Sequence, residues 1–215
     1  MVETATGLVL RTRPLTETSL IVHWLTPNLG RLATVAKGAR RPKSPFRGKL
    51  DLFYLADFSF SRSRSSELHN LREIKLRETH AFLRQEIAYL QQAAYCVRLI
   101  EQATETETPL GSVFDMLRSF LAALPANPPE AQTIFGFELK LLSNLGLQPE
   151  LSQTHLTAGS KALVRNLEQA DWIGISRLRL NPAQQSELRT YLESFLVFHL
   201  GRVPKGREAA LDFSR

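Results

Sequence analysis

Seven cations lie within nineteen residues, at Arg31, Lys37, Arg40, Arg41, Lys43, Arg47 and Lys49, with no Asp or Glu among them. Like charges held this close repel one another unless a partner supplies anions. The chemistry this pattern can do is ionic contact with a polyanion, and a phosphate backbone is the first candidate. Gly38, Pro42, Pro45 and Gly48 interrupt the run and exclude a regular helix, so the charges belong on a shaped loop. Arg62 and Arg64, in the polar stretch Ser61–Ser66, add two more cations. Phe46 is the one ring inside the basic stretch and is expected to be exposed for stacking on a base.

Other chemistries find little to work with. Cys96 sits in an apolar run beside Tyr95 and Val97, where a thiol packs rather than reacts. His23, His69, His80, His155 and His199 have no metal-ligand spacing, so no zinc site is expected. No GxxxxGK[ST] phosphate loop and no acid cluster suited to magnesium occurs, and Glu105 and Glu107 in Thr-Glu-Thr-Glu-Thr read as a helix-end loop. The chain reads as a binding protein, not an enzyme, with no cofactor.

The net charge of +6 is unevenly placed. Residues 1–80 hold 14 Lys+Arg against 7 Asp+Glu, and residues 81–215 hold 13 against 14. The basic excess is therefore a local surface. No apolar run reaches the roughly eighteen residues of a membrane span, and the N-terminus lacks the pattern of a signal peptide. One cysteine gives no disulfide framework and fits a reducing cytoplasm.

The elements that must position the cations come in two kinds. The first part reads as strands: Gly7–Arg13, Ser19–Leu25, Arg31–Lys37, Leu50–Phe60 and Leu68–Leu76, with Thr26-Pro-Asn-Leu-Gly30 as a hairpin turn. In the fourth, Leu52, Tyr54, Ala56, Phe58 and Phe60 share one face at period two. Five strands in under eighty residues suit a small OB-type barrel, whose loops and one face bind oligonucleotides; an SH3-like barrel fits the count nearly as well.

The second part changes to a three-to-four period. Helices are expected over Ala81–Ala103, from Pro109 to Pro125, over Glu130–Leu145 with Gly146 as C-cap, near Ala162–Gln169, and from Pro182 to Leu200 with Gly201 as the stop. Glu130–Leu145 is apolar almost all round, which marks the central helix of a bundle. A groove along it for an acidic peptide, with Lys140 and Arg118 for its carboxylates, is the functional alternative. The expected class is therefore α+β, with an OB-type barrel over residues 1–79 and an all-α domain over 80–215.

Several motifs resemble one known family. Glu17-Thr-Ser-Leu-Ile-Val22, the Thr26–Gly30 turn and Val35-Ala-Lys-Gly-Ala-Arg-Arg-Pro-Lys-Ser44 are similar to the N-terminal region of RecO, a family of bacterial recombination mediators. Glu67-Leu-His-Asn-Leu-Arg-Glu73, Phe137-Glu-Leu-Lys-Leu-Leu-Ser-Asn-Leu-Gly146 and His199-Leu-Gly-Arg-Val-Pro-Lys-Gly-Arg207 extend the resemblance along the chain. It implies an OB-fold before a helical domain, binding of single- and double-stranded DNA, annealing of complementary strands and partnership with RecR. It also implies contact with the acidic C-terminal tail of single-strand DNA-binding protein and help in loading RecA. Lys37, Arg40, Arg41 and Lys43 fall on the family's basic motif and take a DNA-binding role from it, whereas Arg47 and Lys49 are added on charge alone. Many members carry a four-cysteine zinc insertion after the Phe-Glu-Leu helix; here Gln148–Trp172 has no cysteine, so zinc is not expected.

Two rivals share the same cations. An RNA-binding or ribosome-associated OB protein would use the loop on structured RNA, and a scaffold would use it on an acidic protein tail.

Overall fold

A computed structural model describes residues 2–212. Five strands, β1 (Val2–Pro14), β2 (Leu20–Thr26), β3 (Gly30–Ala36), β4 (Leu55–Ser61) and β5 (Leu68–Glu78), close a barrel in the order β1-β2-β3-β5-β4. All pairings are antiparallel except β3 with β5. That crossover is the Greek-key closure of an OB fold and decides against the SH3-like alternative. One long strand makes closure possible: β1 pairs through Val2–Leu8 with β4 and through Leu8–Pro14 with β2.

The barrel core follows the period-two pattern. Val9, Val22, Trp24, Leu32, Ala36, Phe58 and Phe60 point inward and pack together. Trp24 stacks on Phe58 with centroids 4.1 Å apart, and its indole N–H donates to Thr34 Oγ1 at 2.9 Å, so the ring is buried without an orphan donor. The fourth strand starts later than its pattern indicates. Phe53 has φ +66, which no strand accommodates, and Leu52 stays 37% exposed in the turn before Leu55.

Seven α-helices follow among the described residues: α1 (Ile87–Ala103), α2 (Gly111–Ala123), α3 (Ala131–Asn144), α4 (Ala158–Gln169), α5 (Trp172–Arg177), α6 (Pro182–Leu200) and α7 (Arg207–Leu211). The expected start of the first helix, Ala81, is instead a 3-10 turn over Ala81–Arg84, and Glu86 is extended before Ile87. α3 is buried on nearly every side and packs against α1, α4, α5, α6 and α7, as its apolar circumference requires. α6 begins at its predicted residue because Asn181 and Gln184 form a reciprocal capping box ahead of Pro182, and Gly201, at φ +76, ends it.

Within 147–180 an aromatic contact anchors the chain. Trp172 wedges against Phe120 and Phe137, with ring centroids 5.2 and 6.2 Å away, and donates to Ser119 Oγ at 3.0 Å. The described residues form two compact units, 2–80 with 105–115 and 81–104 with 116–212. The Thr-Glu-Thr-Glu-Thr segment thus groups with the barrel, although it follows the first helix in sequence.

Candidate nucleic-acid interface

Between β3 and β4 the chain makes a succession of tight turns. Backbone N–H groups of Ala39, Arg41, Ser44, Arg47 and Lys49 each donate to the carbonyl three residues earlier, at 3.0–3.3 Å. Gly38 and Gly48 hold the left-handed conformations such turns require. Three ties fix the loop to the barrel: Arg40 N donates to Thr18 O at 2.9 Å, Gly38 N to Ser19 Oγ at 3.3 Å, and Ala39 and Phe46 enter the barrel core. The result is a shaped surface with its cations outward. Lys37, Arg40, Arg41, Lys43 and Arg47 are exposed, and Lys49 and Arg31 are half-buried. Among the described residues none of Lys37, Arg40, Arg41, Lys43, Arg47 or Lys49 pairs with a carboxylate.

Two expectations change here. Phe46 is 7% exposed and packed into the core, so it is no exposed stacking platform; a lone ring in a polar loop gains more by anchoring the loop than by standing in water. Arg62 is engaged: it grips Glu3 at 2.9 and 3.2 Å and reaches Glu107 at 3.0 Å. Donating to the Glu3 carboxylate holds its guanidinium pKa above the ordinary arginine value. Arg64 remains exposed on the neighbouring turn.

Glu107, expected in a helix-end loop, instead ties that segment to barrel side chains. Its second oxygen lies 2.9 Å from His69 Nε2, while His69 Nδ1 accepts from Ser63 N at 3.3 Å. The ring is therefore placed to donate through Nε2. The segment is further tied by Glu107 N to Arg31 O at 2.8 Å and by Leu110 N to Pro27 O at 3.1 Å. Gly30 is obligatory beside it, because its φ is +64 and a Cβ there would collide with the Thr108 backbone.

Further cations were missed. Arg72 and Lys75 line, with Lys49, a groove of about 710 Å³ whose apolar side includes Phe46, Phe58 and Ile74. On the outward positions of β1 and β2, Arg11 faces His23 across the ladder and Arg13 lies 3.4 Å from its Nε2. Burial first, and then the charges of Arg11, Arg13 and Arg31, lower the His23 pKa to about 4, so the ring is neutral at pH 7. Period-two counting from the inward-facing Val9 puts Arg11 and Arg13 inside the barrel; the register shift between Val9 and Arg11 turns them outward, and no local pattern announces it.

In the helical unit, Lys140 Nζ donates to Glu168 O at 2.7 Å and stands 5.7 Å from the Trp172 ring; burial lowers its pKa. Arg118 is exposed on α2, next to the Ser119 that accepts from Trp172. The buried charge lies elsewhere. Arg207 grips Glu138 at 2.7 and 3.1 Å, and Tyr95 Oη donates to the same carboxylate at 2.5 Å. Burial works to lower the Arg207 pKa, but the Glu138 hydrogen bonds and charge outweigh it and raise it. Among the described residues no His, Cys, Asp and Glu cluster could hold a metal ion, and no helix is long and apolar enough to cross a membrane.

Comparison with known proteins agrees along most of the chain. The family model for the recombination protein O N-terminal region matches residues 1–80, and the C-terminal model matches residues 84–158. A DNA repair protein RecO of Anaeromyxobacter dehalogenans is 31% identical over 92% of this chain and 91% of its own length. That of Alkaliphilus metalliredigens is 28% identical over 92% and 93%. That of Rhodopirellula baltica is 34% identical over 66% of this chain, a match spanning about half (53%) of the relative.

Proposed function

Because this chain belongs to the recombination protein O family, we propose that it is a DNA-binding mediator of recombinational DNA repair. In this reading it binds single- and double-stranded DNA and anneals complementary strands. With RecR it helps load RecA onto strands covered by single-strand DNA-binding protein. One observation carries it: a rigid loop presents Lys37, Arg40, Arg41, Lys43 and Arg47 to solvent with no carboxylate partner among the described residues.

The mechanism needs no bond making. Two strands repel through their phosphates, and a surface that neutralises both lowers the cost of bringing bases together. Backbone turns fix the cations in advance, so little side-chain and loop order is lost on binding. Arg64 and the groove residues Lys49, Arg72 and Lys75, which share that groove with Asp57 and Glu73, supply further cations along the barrel. We assign Arg118 and Lys140 to the acidic tail of single-strand DNA-binding protein; the support is that Arg118 is exposed on α2 and that the Lys140 ammonium stands over the Trp172 ring.

Fluorescence anisotropy of a labelled single-stranded oligonucleotide across a salt series tests the central claim. Each phosphate contact contributes roughly 0.7 to the log–log salt slope on a single strand. Lys37→Ala/Arg41→Ala/Lys43→Ala spares the tethered Arg40 and Arg47 and is expected to flatten the slope by about 2. An unchanged slope would remove the loop from the DNA interface.

A further inference from the structure

The loop that carries the cations also encloses a smaller concavity of about 380 Å³. Its rim is Arg40, Arg41 and Arg47, and its floor includes Leu20, Phe46 and Leu50. The floor is solid: Phe46 belongs to the barrel core, and Leu20 and Leu50 pack against that core while remaining half-buried. The rim is oriented as well. Arg40 Nη1 donates to Thr16 O at 3.3 Å and Arg47 Nη1 to Pro42 O at 3.1 Å, leaving other N–H donors of each guanidinium for a ligand.

A cationic rim over an apolar floor calls for a ligand with an anionic edge and an apolar, flat body. A bare phosphate would leave the floor in contact with water, and a stacked duplex keeps its bases out of reach. We propose that this concavity takes one unstacked nucleobase of a single strand, with the flanking phosphates held by Arg40, Arg41 and Arg47. Lys37 and Lys43, exposed on the same loop and outside the concavity, add positive charge beyond the rim, which suits a continuing strand better than the single end of an acidic peptide. Phe46 acts here as a fixed floor beneath the base. The inference rests on the nucleic-acid reading above and adds that the loop grips bases as well as phosphates, so it prefers unpaired strand.

The test compares two single-stranded oligonucleotides of equal length and charge, one with normal bases and one with a central run of abasic sites. They are titrated against the full chain and against Leu50→Asn, whose fold is checked by circular dichroism and thermal melting. The wild type is expected to bind the abasic strand about tenfold more weakly, with the salt slope the same for both strands. Leu50→Asn is expected to bind both strands as the wild type binds the abasic one. Equal wild-type affinity for both strands overturns the base pocket while leaving phosphate binding intact. The same result with Leu50-dependent binding of an acidic peptide ending in an aromatic residue overturns it in favour of a protein ligand. Discrimination that survives in Leu50→Asn overturns it too, since the base would be gripped elsewhere. Failure to bind either strand at low salt defeats the nucleic-acid reading itself.

Discussion

Arg207 and Glu138 are each about as buried as a charge can be, at 2% and 0% exposure. Glu138 spends its lone pairs on two guanidinium bonds and the Tyr95 hydroxyl, which is how a carboxylate survives out of water. Removing one partner strands the other. Arg207→Ala is expected to destabilise the helical unit by roughly 3 kcal/mol, read by denaturant unfolding, whereas Glu138→Leu/Arg207→Met should recover most of the loss. A double variant no better than the single one would show that the pair adds more than it costs. His23 makes the opposite case, a base kept neutral. Its folded pKa of about 4 lies below the unfolded value of about 6.5, so its contribution to stability is complete above pH 6.5 and is lost as pH falls toward 4. An NMR titration should show the His23 ring unprotonated down to about pH 5; a midpoint near 6.5 would contradict the packing around it.

Elements begin and end where side chains settle the orphan backbone groups. Thr157 caps α4 by accepting from Ser160 N at 3.3 Å, and Glu187 of α6 accepts from Thr157 N at 2.6 Å, from its hydroxyl at 3.0 Å and from Ser160 Oγ. This is why α4 starts at Ala158, four residues ahead of the Ala162 expected from sequence: the anion that steadies its N-terminus comes from another helix. Thr157→Ala should cost about 1 kcal/mol, and adding Glu187→Ala should cost less than the sum of the two singles, since they share one network. The Glu105–Asp115 segment depends on Gly30 in a similar way. Gly30→Ala is expected to raise hydrogen exchange at the Glu107 amide severalfold, because the collision with Thr108 parts that amide from Arg31 O. Unchanged protection would mean the segment yields locally without releasing its hydrogen bond.

For the whole molecule, charge placement matters more than net charge. The excess of positive charge sits in residues 1–80. Arg165→Ala/Arg177→Ala removes two exposed cations of the helical unit and is expected to leave the DNA salt slope unchanged, whereas two cations removed from the 37–49 loop should flatten it by more than one. Equal effects from both pairs would mean the protein binds DNA by its global charge.

The sequence by itself determined the two-part architecture, because period-two and three-to-four patterns are local and each element buries its own apolar face. It determined the basic loop as well: Gly38 and Gly48 break a helix wherever they stand, and seven cations without an acid are visible in one dimension. It also located the apolar circumference of α3 and the start of α6, whose capping residues lie three apart. Only the tertiary structure decided which charges stay available and which rings stay exposed. Arg62 is taken up by Glu3 and Glu107, residues 59 and 45 positions away. Phe46 turns inward because the barrel beneath the loop offers it apolar neighbours. Glu138 and Arg207, 69 residues apart, make one buried pair from two unrelated-looking motifs. Partnership between distant side chains is fixed by chain closure and burial, and neither leaves a local periodic trace.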